Sequence, residues 1–491
     1  MRTPRVIVIG AGAGGLAASI DLARQGIAVT VLEQAAYVGG KIRVDAAGID
    51  SGPTVLTMRW VFEALFADAG SSLADHLTLR PSDLLARHAW SATERLDLFA
   101  DPERSIAAIG DFAGRAEADG YRSFCARAAV VYRTLEAPFM RAQKPTAFSL
   151  TAGTGLSAMR AVSPFSTLWQ ALGEHFRDPR LRQLFGRYAT YSGSSPFQAP
   201  ATLMLIAHVE QQGVWLVEGG MVRLARALAA LAERVGAVVR VNAPVAEIFV
   251  NQGQATGVLL EDGERLDADA VVCNADYAAL TDGAFGRTAA RSVPLAKRAG
   301  RSLSAVTWTL PAATEGFPLA RHNVFFGNDY AAEFGSVFRH GRLPDDPTVY
   351  VCAQDRPGEM PTGEAERLLV LINAPANGDH GQGISPSEIE QCTSRTFGLM
   401  ERCGLLVHRR PDATVITTPG TFAKLFPATG GALYGQAVHG SMAAFRRPGS
   451  RSALPGLYLA GGSVHPGPGV PMAVLSGRLA AESLLQDRTS R

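Results

Sequence analysis

Three features of this 491-residue sequence predict an α/β chain: a doubly wound, Rossmann-like dinucleotide-binding unit interleaved with an α+β second unit. A short β-branched run near the start ends in a cluster of glycines. A helix pattern, a second strand pattern and an acidic residue follow in the order that such a unit requires. Glycine-punctuated strands and helices then return in the middle of the chain and again at its end.

Arg5–Ile9 reads RVIVI, the kind of run that forms a strand buried on both faces of a parallel sheet. It leads into Gly10-Ala11-Gly12-Ala13-Gly14-Gly15, which matches GxGxxG at Gly10, Gly12 and Gly15. Gly10 permits a tight turn, Gly12 lets the backbone approach a diphosphate, and Gly15 allows close helix–strand contact. A helix is predicted over about residues 14–25, with Leu16, Ile20 and Ala23 on one face and Gly26 ending it. Its free N–H groups and positive dipole end would point at the diphosphate. Residues 29–32 form the second predicted strand, closed by Glu33 where the carboxylate that holds ribose hydroxyls is expected. A glycine motif alone means little. Strand, glycines, helix, strand and acid in order within about 30 residues carry the reading.

Two segments follow: Tyr37-Val38-Gly39-Gly40-Lys41-Ile42-Arg43, then Asp50-Ser51-Gly52-Pro53-Thr54-Val55-Leu56-Thr57. From about residue 214 to 276 the nucleotide-unit pattern resumes. Gly219 and Gly220 precede a strong helix, Val222–Arg234, ended by Gly236, and strands are predicted over 237–241, 245–250, 255–260 and 268–274. Near the C-terminus, residues 456–462 read as a strand ending in glycines. The segment from Ser463 to Met472 leads from it into a helix over 473–486, with proline at the start. The dinucleotide unit is therefore expected to be discontinuous, from 1–75, 210–285 and 446–491. The remainder, 76–209 and 286–445, is expected to be the substrate unit, with strands over 304–310, 348–352 and 368–373.

Composition narrows the function classes. Lys plus Arg number 47 against 45 Asp plus Glu, a formal net charge of +2, which gives no reason to expect a nucleic acid partner. The five cysteines are scattered without a CxxC pair, which suits reduced thiols in the cytosol better than a disulfide framework or a zinc site. No uninterrupted apolar run of about 18 residues predicts a membrane span. Glycines inside the N-terminal apolar stretch argue for a strand rather than a signal peptide. Residues 137–173 contain no Asp or Glu. Arg141, Lys144 and Arg160 lie there among Phe139, Met140, Phe148, Leu150, Leu156, Met159, Phe165 and Trp169. That composition suits a surface resting on anionic lipid, or else a substrate lid packed on protein.

The acid followed by Gly-Gly-Lys resembles the second dinucleotide motif of the flavin amine oxidase superfamily. With GAGAGG, SGPTVLT, the Gly-Gly before the long helix and AGGSVHPGPGVPM, nearly the whole chain resembles the phytoene desaturase family. GPTVLT, LFGRYATYSGSSP (184–196) and HPGPGVPM most resemble its 1-hydroxycarotenoid 3,4-desaturase branch. Where many phytoene desaturases read HPGAGIPG, this chain reads HPGPGVPM. The resemblance implies FAD as cofactor. It places Gly40, Lys41 and Arg43 along the diphosphate and ribityl chain, where the two cations would suit the phosphates. It counts Pro53 and Thr54 among the cofactor-binding residues, and sets Val245 beside the adenine through its backbone. Gly462, Val470, Pro471 and Met472 fall at the flavin N1–C2=O edge, where a helix N-terminus would stabilise negative charge.

The implied reaction introduces a C=C bond at the 3,4 position of an acyclic 1-hydroxycarotenoid, with hydride passing to flavin. Quinone or dioxygen would be the terminal acceptor, and the enzyme would sit peripherally on the cytoplasmic side of an inner or intracytoplasmic membrane. Other readings of the same fold are a phytoene or neurosporene desaturase, a carotenoid isomerase, an amine or protoporphyrinogen oxidase, and a redox-inert lipid carrier. The sequence offers no triad, metal cluster or paired carboxylates. Of ten histidines, only His465 sits in a flavin-associated motif. It could orient substrate, accept a proton or make a structural hydrogen bond, so no catalytic base is assigned.

Overall fold

The opening run forms strand β1 (Arg5–Ile9), buried at every position after the first. In the computed structural model, residues 3–146, 162–163, 165–291, 293, 300–356, 364–379 and 383–490 are described. Strands are numbered along the chain. β2 (Ala28–Leu32) pairs with one edge of β1 and β11 (Ala270–Cys273) with the other. β7 (Val238–Arg240) extends the sheet beyond β2, and β18 (Leu457–Leu459) extends it beyond β11. The sheet is five-stranded, in the order β18-β11-β1-β2-β7, and every ladder is parallel. The chain winds outward in both directions from β1. A crevice therefore opens at the carboxyl ends of β1 and β11, the switch point where such sheets bind ligands.

Helices α1 (Ala13–Ala23), α2 (Val222–Arg234) and α3 (Val470–Thr489) pack on this sheet. The sequence pattern gave α1 one apolar face, yet all of its residues are buried. The sheet covers one side, while Leu224 and Leu228 of α2 and Val474, Ala480 and Leu484 of α3 share its apolar cluster. α3 begins at Val470 rather than Ala473, because Gly469 turns the chain and Pro471 is accommodated within the first turn, where no intrahelical N–H is needed. A three-stranded antiparallel sheet of β8 (Val245–Asn251), β9 (Gln254–Leu260) and β10 (Arg265–Asp267) lies between β7 and β11 in the chain.

The second large sheet is eight-stranded and mostly antiparallel. Its members are β4 (Leu84–Ala89), β5 (Arg95–Phe99), β12 (Ser304–Glu315), β13 (His322–Phe325), β14 (Val349–Ala353), β15 (Glu366–Ala374), β16 (Leu406–His408) and β17 (Val415–Thr417). The three strands expected from sequence are present, and β12 runs on to Glu315. Side chains alternate across the pleat. Leu368, Val370 and Ile372 of β15 enter an apolar core, while Leu369, Leu371 and Asn373 face a large cavity. Helices Pro102–Ala113 and Arg115–Leu135 build a separate apolar cluster with the segment around residues 168–209. A short antiparallel pair, β3 (Leu79–Pro81) and β6 (Trp215–Val217), completes the strands.

Of the acid-free stretch 137–173, residues 147–161 and 164 lie outside the described residues, including Phe148, Leu150, Leu156, Met159 and Arg160. Among those described, several turn inward rather than toward a surface. Met140 is buried, and the Phe139 ring meets His465 edge-on at 4.9 Å. Trp169 packs on Phe197 at 4.6 Å. Among the described large apolar side chains of the stretch only Phe165 is exposed, at 89%, and it also borders the cavity.

Helices α1 and α3 approach backbone to backbone. A Cβ on Gly477 would lie 2.0 Å from the Gly14 carbonyl oxygen. Gly477→Ala is expected to push these helices apart and destabilise the fold by about 1–3 kcal/mol, read as a lower Tm in thermal unfolding.

Candidate functional site

Gly10 adopts φ +93° directly after β1, a turn that an L side chain resists. The chain then enters α1 through Gly12, whose position makes no side-chain cap, and no acid occupies the first turn. The helix therefore presents unpaired N–H groups and its positive end to the crevice. Asn274, at the end of β11, closes the other wall. Its Nδ2 donates to the Gly10 carbonyl at 3.2 Å. Added Cβ atoms would meet its side chain at 3.0 Å from Gly12 and 2.6 Å from Gly14, and at Gly15 one would strike the Gly10 carbonyl at 2.1 Å.

The Gly39-Gly40 motif packs backbone to backbone on this turn. Gly39 bridges Gly12, and its N–H donates to the Ala11 carbonyl at 2.9 Å. A Cβ on Gly40 would lie 3.3 Å from Gly12 Cα. Glu33 is buried at the end of β2, where one oxygen accepts from the Ala11 N–H at 2.8 Å and the other from the Ala35 N–H at 2.9 Å. Both oxygens keep a further lone pair for hydroxyl donors. Val245 begins β8 just after Ala243, whose N–H donates to the Glu33 carbonyl at 2.8 Å.

The two basic residues of the second motif part company. Lys41 turns inward, donating from Nζ to the Leu433 carbonyl at 2.7 Å with Asp276 at 3.8 Å. Its side chain is still 38% accessible, so it faces open space within the site. Burial lowers its pKa, and the Asp276 carboxylate partly opposes that. Asp276 Oδ2 is buried without a hydrogen-bond partner. Arg43 instead lies over the Tyr37 ring at 5.1 Å and bonds the Tyr37 hydroxyl, on an exposed edge. The structure does not bring it to the others. Gly52 has no room for a side chain, since a Cβ would lie 2.0 Å from the Lys41 carbonyl. This contact aims Pro53 and Thr54 into the cavity.

The far end of the sequence completes the ring. Gly461 donates to Ser476 Oγ at 3.2 Å, and its Cβ would meet Asn274 Oδ1 at 2.9 Å. Val470, Pro471 and Met472 line the cavity at the start of α3, which has neither a side-chain cap nor an acid in its first turn. Gly462 offers its carbonyl to Arg447 Nη1 at 3.2 Å. Arg447 is buried and also donates to the Tyr434 and Gln436 carbonyls at 3.3 and 2.7 Å. Burial pushes its pKa down to about 10, so it remains a cation at neutral pH.

These residues fit FAD. Two helix N-termini free of acids, side-chain-free glycine walls and a partly accessible lysine beside a carboxylate with one unbonded oxygen are what a dinucleotide diphosphate and its hydroxyls can use. Asn274, Asp276 and Arg447 were missed in the sequence. Asn274 and Asp276 do follow the apolar run of a parallel strand at the switch point, a position that could have flagged them. Arg447 carries no such signal.

His465 is buried, and its Nε2 lies 2.9 Å from the Phe139 carbonyl, to which it donates. Burial lowers its pKa to about 4, which keeps the ring neutral. Its geometry is that of a strut between the α3 approach and Phe139. The cavity has a volume of about 750 Å³ and predominantly apolar walls, among them Val55, Leu135, Phe139, Ile206, Val209 and Phe445.

The sequence pattern described as flavin containing amine oxidoreductase matches residues 13–485. The chain belongs to this family. It is an FAD-dependent oxidoreductase. Among curated relatives, hydroxyneurosporene desaturase of Rubrivivax gelatinosus is 53% identical, the match covering 100% of this chain and 95% of that protein. Hydroxyneurosporene desaturase of Cereibacter sphaeroides is 48% identical, with 99% of each covered. Among solved structures, an oxidoreductase from Methanosarcina mazei superposes with a TM-score of 0.62 at 16% identity, covering 98% of this chain and 100% of that one, a likeness of fold alone.

Glu33→Ala removes a buried carboxylate that holds two backbone N–H groups. Charged hydrogen bonds of this kind are worth about 1.5–3 kcal/mol each. The variant is expected to bind FAD at least about tenfold more weakly, read by flavin absorbance retained after gel filtration and by titration of the apoprotein.

Proposed function

We propose that this enzyme introduces a C=C bond at the 3,4 position of an acyclic 1-hydroxycarotenoid. The observation that carries the reading is the apolar cavity, which begins at Thr54 and at the first turn of α3 and reaches the exposed Phe165. Such walls suit a hydrocarbon chain, and both curated relatives carry the name of a desaturase acting on a hydroxylated polyene. Segments 1–75, 210–285 and 446–491 would hold FAD, through Gly10, Gly12, Gly14, Gly15, Glu33, Gly40, Lys41, Val245, Gly462 and Val470 to Met472. Segments 76–209 and 286–445 would hold the polyene.

Bound FAD supplies the acceptor for the hydride that leaves one carbon of the new double bond. The other carbon loses a proton. The conjugated polyene spreads the developing positive charge over its own carbons. The tasks left to the protein are to fix the substrate terminus against the cofactor end of the cavity and to keep water out. Apolar walls do the second directly.

A peripheral membrane position follows from the substrate's solubility, with Phe165 on the cavity rim as a point of contact. No helix among the described residues is long and apolar enough to cross a membrane. Quinone or dioxygen would reoxidise the flavin.

Purified, FAD-loaded protein in liposomes with 1-hydroxyneurosporene is expected to red-shift the polyene absorption, and with phytoene to leave it unchanged. Conversion of phytoene alone would move the enzyme to an earlier desaturation, and no shift with either substrate under several acceptors would overturn the reading. In the same assay His465→Gln, which can still donate to the Phe139 carbonyl, is expected to stay within about tenfold of wild type. Loss of a proton-transferring residue would cost about 10²–10⁴-fold.

A further inference from the structure

Among the described residues, three buried side-chain atoms without a hydrogen-bond partner belong to the walls of the cavity: Arg187 Nε, His322 Nε2 and Tyr330 OH. His322 and Tyr330 are buried at 3% and 6% exposure. A buried polar group left unpaired is destabilising, so three on one otherwise apolar cavity call for a ligand that meets them. They also act on one another. Burial lowers the His322 pKa and the Arg187 cation adds to that, whereas burial raises the Tyr330 pKa and Arg187 opposes the rise.

The charge around them is balanced. Glu210 accepts hydrogen bonds from the Tyr188 and Tyr191 hydroxyls, both at 2.8 Å, and Arg187 Nη2 donates to Tyr191 at 3.2 Å. One cation and one carboxylate thus meet at the Tyr191 hydroxyl, so the wall suits a neutral polar group better than an anion. Burial, reinforced by Arg321 and Arg187, holds the His322 pKa at about 3, and the ring is uncharged. His322 Nδ1 and the Tyr350 hydroxyl are 2.8 Å apart, and that hydroxyl is 2.7 Å from Thr54 Oγ1. When Nδ1 donates along this chain, Nε2 is an acceptor. Arg187 Nε–H and Tyr330 O–H are donors. One acceptor and two donors are the full complement of one aliphatic hydroxyl, which donates once and accepts twice.

We infer that Arg187, Tyr330 and His322 form the subsite that reads the tertiary hydroxyl of the polyene terminus and so determine which polyene is taken. This rests on the function proposed above and extends it to the residues that select the substrate. The placement agrees with the proposed bond. Only C2 separates the hydroxylated C1 from C3, so the hydroxyl must lie beside the reacting carbons. The Thr54–Tyr350–His322 chain joins this wall to the segment that Gly52 packs on Lys41, at the cofactor end.

The test uses FAD-loaded wild type, Tyr330→Phe and His322→Phe in liposomes, each with 1-hydroxyneurosporene and with neurosporene. Tyr330→Phe removes only an unpaired hydroxyl, and His322→Phe keeps the ring that stacks on Tyr350 at 6.1 Å. Two readouts are taken, kcat/KM from the polyene spectrum and the dissociation constant from quenching of tryptophan fluorescence. Wild type is expected to prefer the hydroxylated substrate in both. In each variant that preference should fall by about tenfold or more, because a site built to bond a hydroxyl owes its discrimination to those bonds. A variant that weakens both substrates equally, leaving the ratio unmoved, would show a packing or water-holding role and overturn the inference. Wild type that converts both polyenes without preference would overturn this inference alone. Wild type that converts and binds neither would overturn the proposed function and the inference with it.

Discussion

The parallel pairing of β18 on β11 is the constraint on which the rest of this structure depends. It takes residues 457–459 from the end of the chain and sets them against 271–273, beside the strand that opens the chain. Both α1 and α3 follow strands of this sheet, so both start at its carboxyl edge and their positive ends point to one crevice. Gly14 and Gly477 let the two helices touch backbone to backbone, and no residue with a side chain could hold that spacing. The ion pair of Arg478 on α3 with Asp21 on α1, at 2.9 Å, fixes the rotation of one helix on the other. Without this register the C-terminal glycines would not reach Asn274, and the crevice would lack a wall.

What could be read from the sequence was what local chemistry dictates. RVIVI, the glycines, α1, β2 and Glu33 are adjacent in the chain, and each is forced by its own residue types, so they are legible. Helix α2 has the bounds expected of it because Gly219, Gly220 and Gly236 punctuate it. The even burial of α1 was hidden, because two of its neighbours lie hundreds of residues away. Lys41 and Arg43 differ by two positions and look alike in sequence. Only the folded turn, where a Cβ added at Gly39 would meet the Ile42 carbonyl at 2.5 Å, separates them, with Lys41 inward on the Leu433 carbonyl and Arg43 over Tyr37. In the acid-free stretch the composition did not separate a lipid-facing surface from a lid packed on protein, and Phe139, Met140 and Trp169 turn to the interior.

The second sheet serves two cores with one set of strands. Alternation sends Val349, Val351, Leu368, Val370 and Ile372 into packed hydrocarbon and leaves Tyr350, Leu369, Leu371 and Asn373 on the cavity. Polar side chains on such a face are costly unless they are paired, and most here are. Glu333 accepts from Asn373 at 2.9 Å and from Thr348, and burial raises its pKa to about 7. The sheet thereby carries a polar band through an apolar cavity without exposing it to water. Strands on a rigid sheet hold such groups more exactingly than a loop can, because neighbouring ladders fix each side chain's direction.

Electrostatics at the cofactor end point the same way as the packing. Arg447 donates to the carbonyls of Gly462, Tyr434 and Gln436, and the nearby Asp276 is shared with Lys41. With the Glu33 carboxylate taken up by two backbone N–H groups, two cations and two helix N-termini against the Asp276 carboxylate leave a positive potential at the crevice. A potential of that sign favours a ligand that gains negative charge as the reaction proceeds, and it does so before the reaction starts. Under the proposed hydride transfer positive charge would arise on the substrate, and the conjugated chain would carry it away from the cations at the cofactor end. In the proposed reaction a positive cofactor end and a remainder in which Arg187 is offset by Glu210 would hold apart the charges that hydride transfer creates.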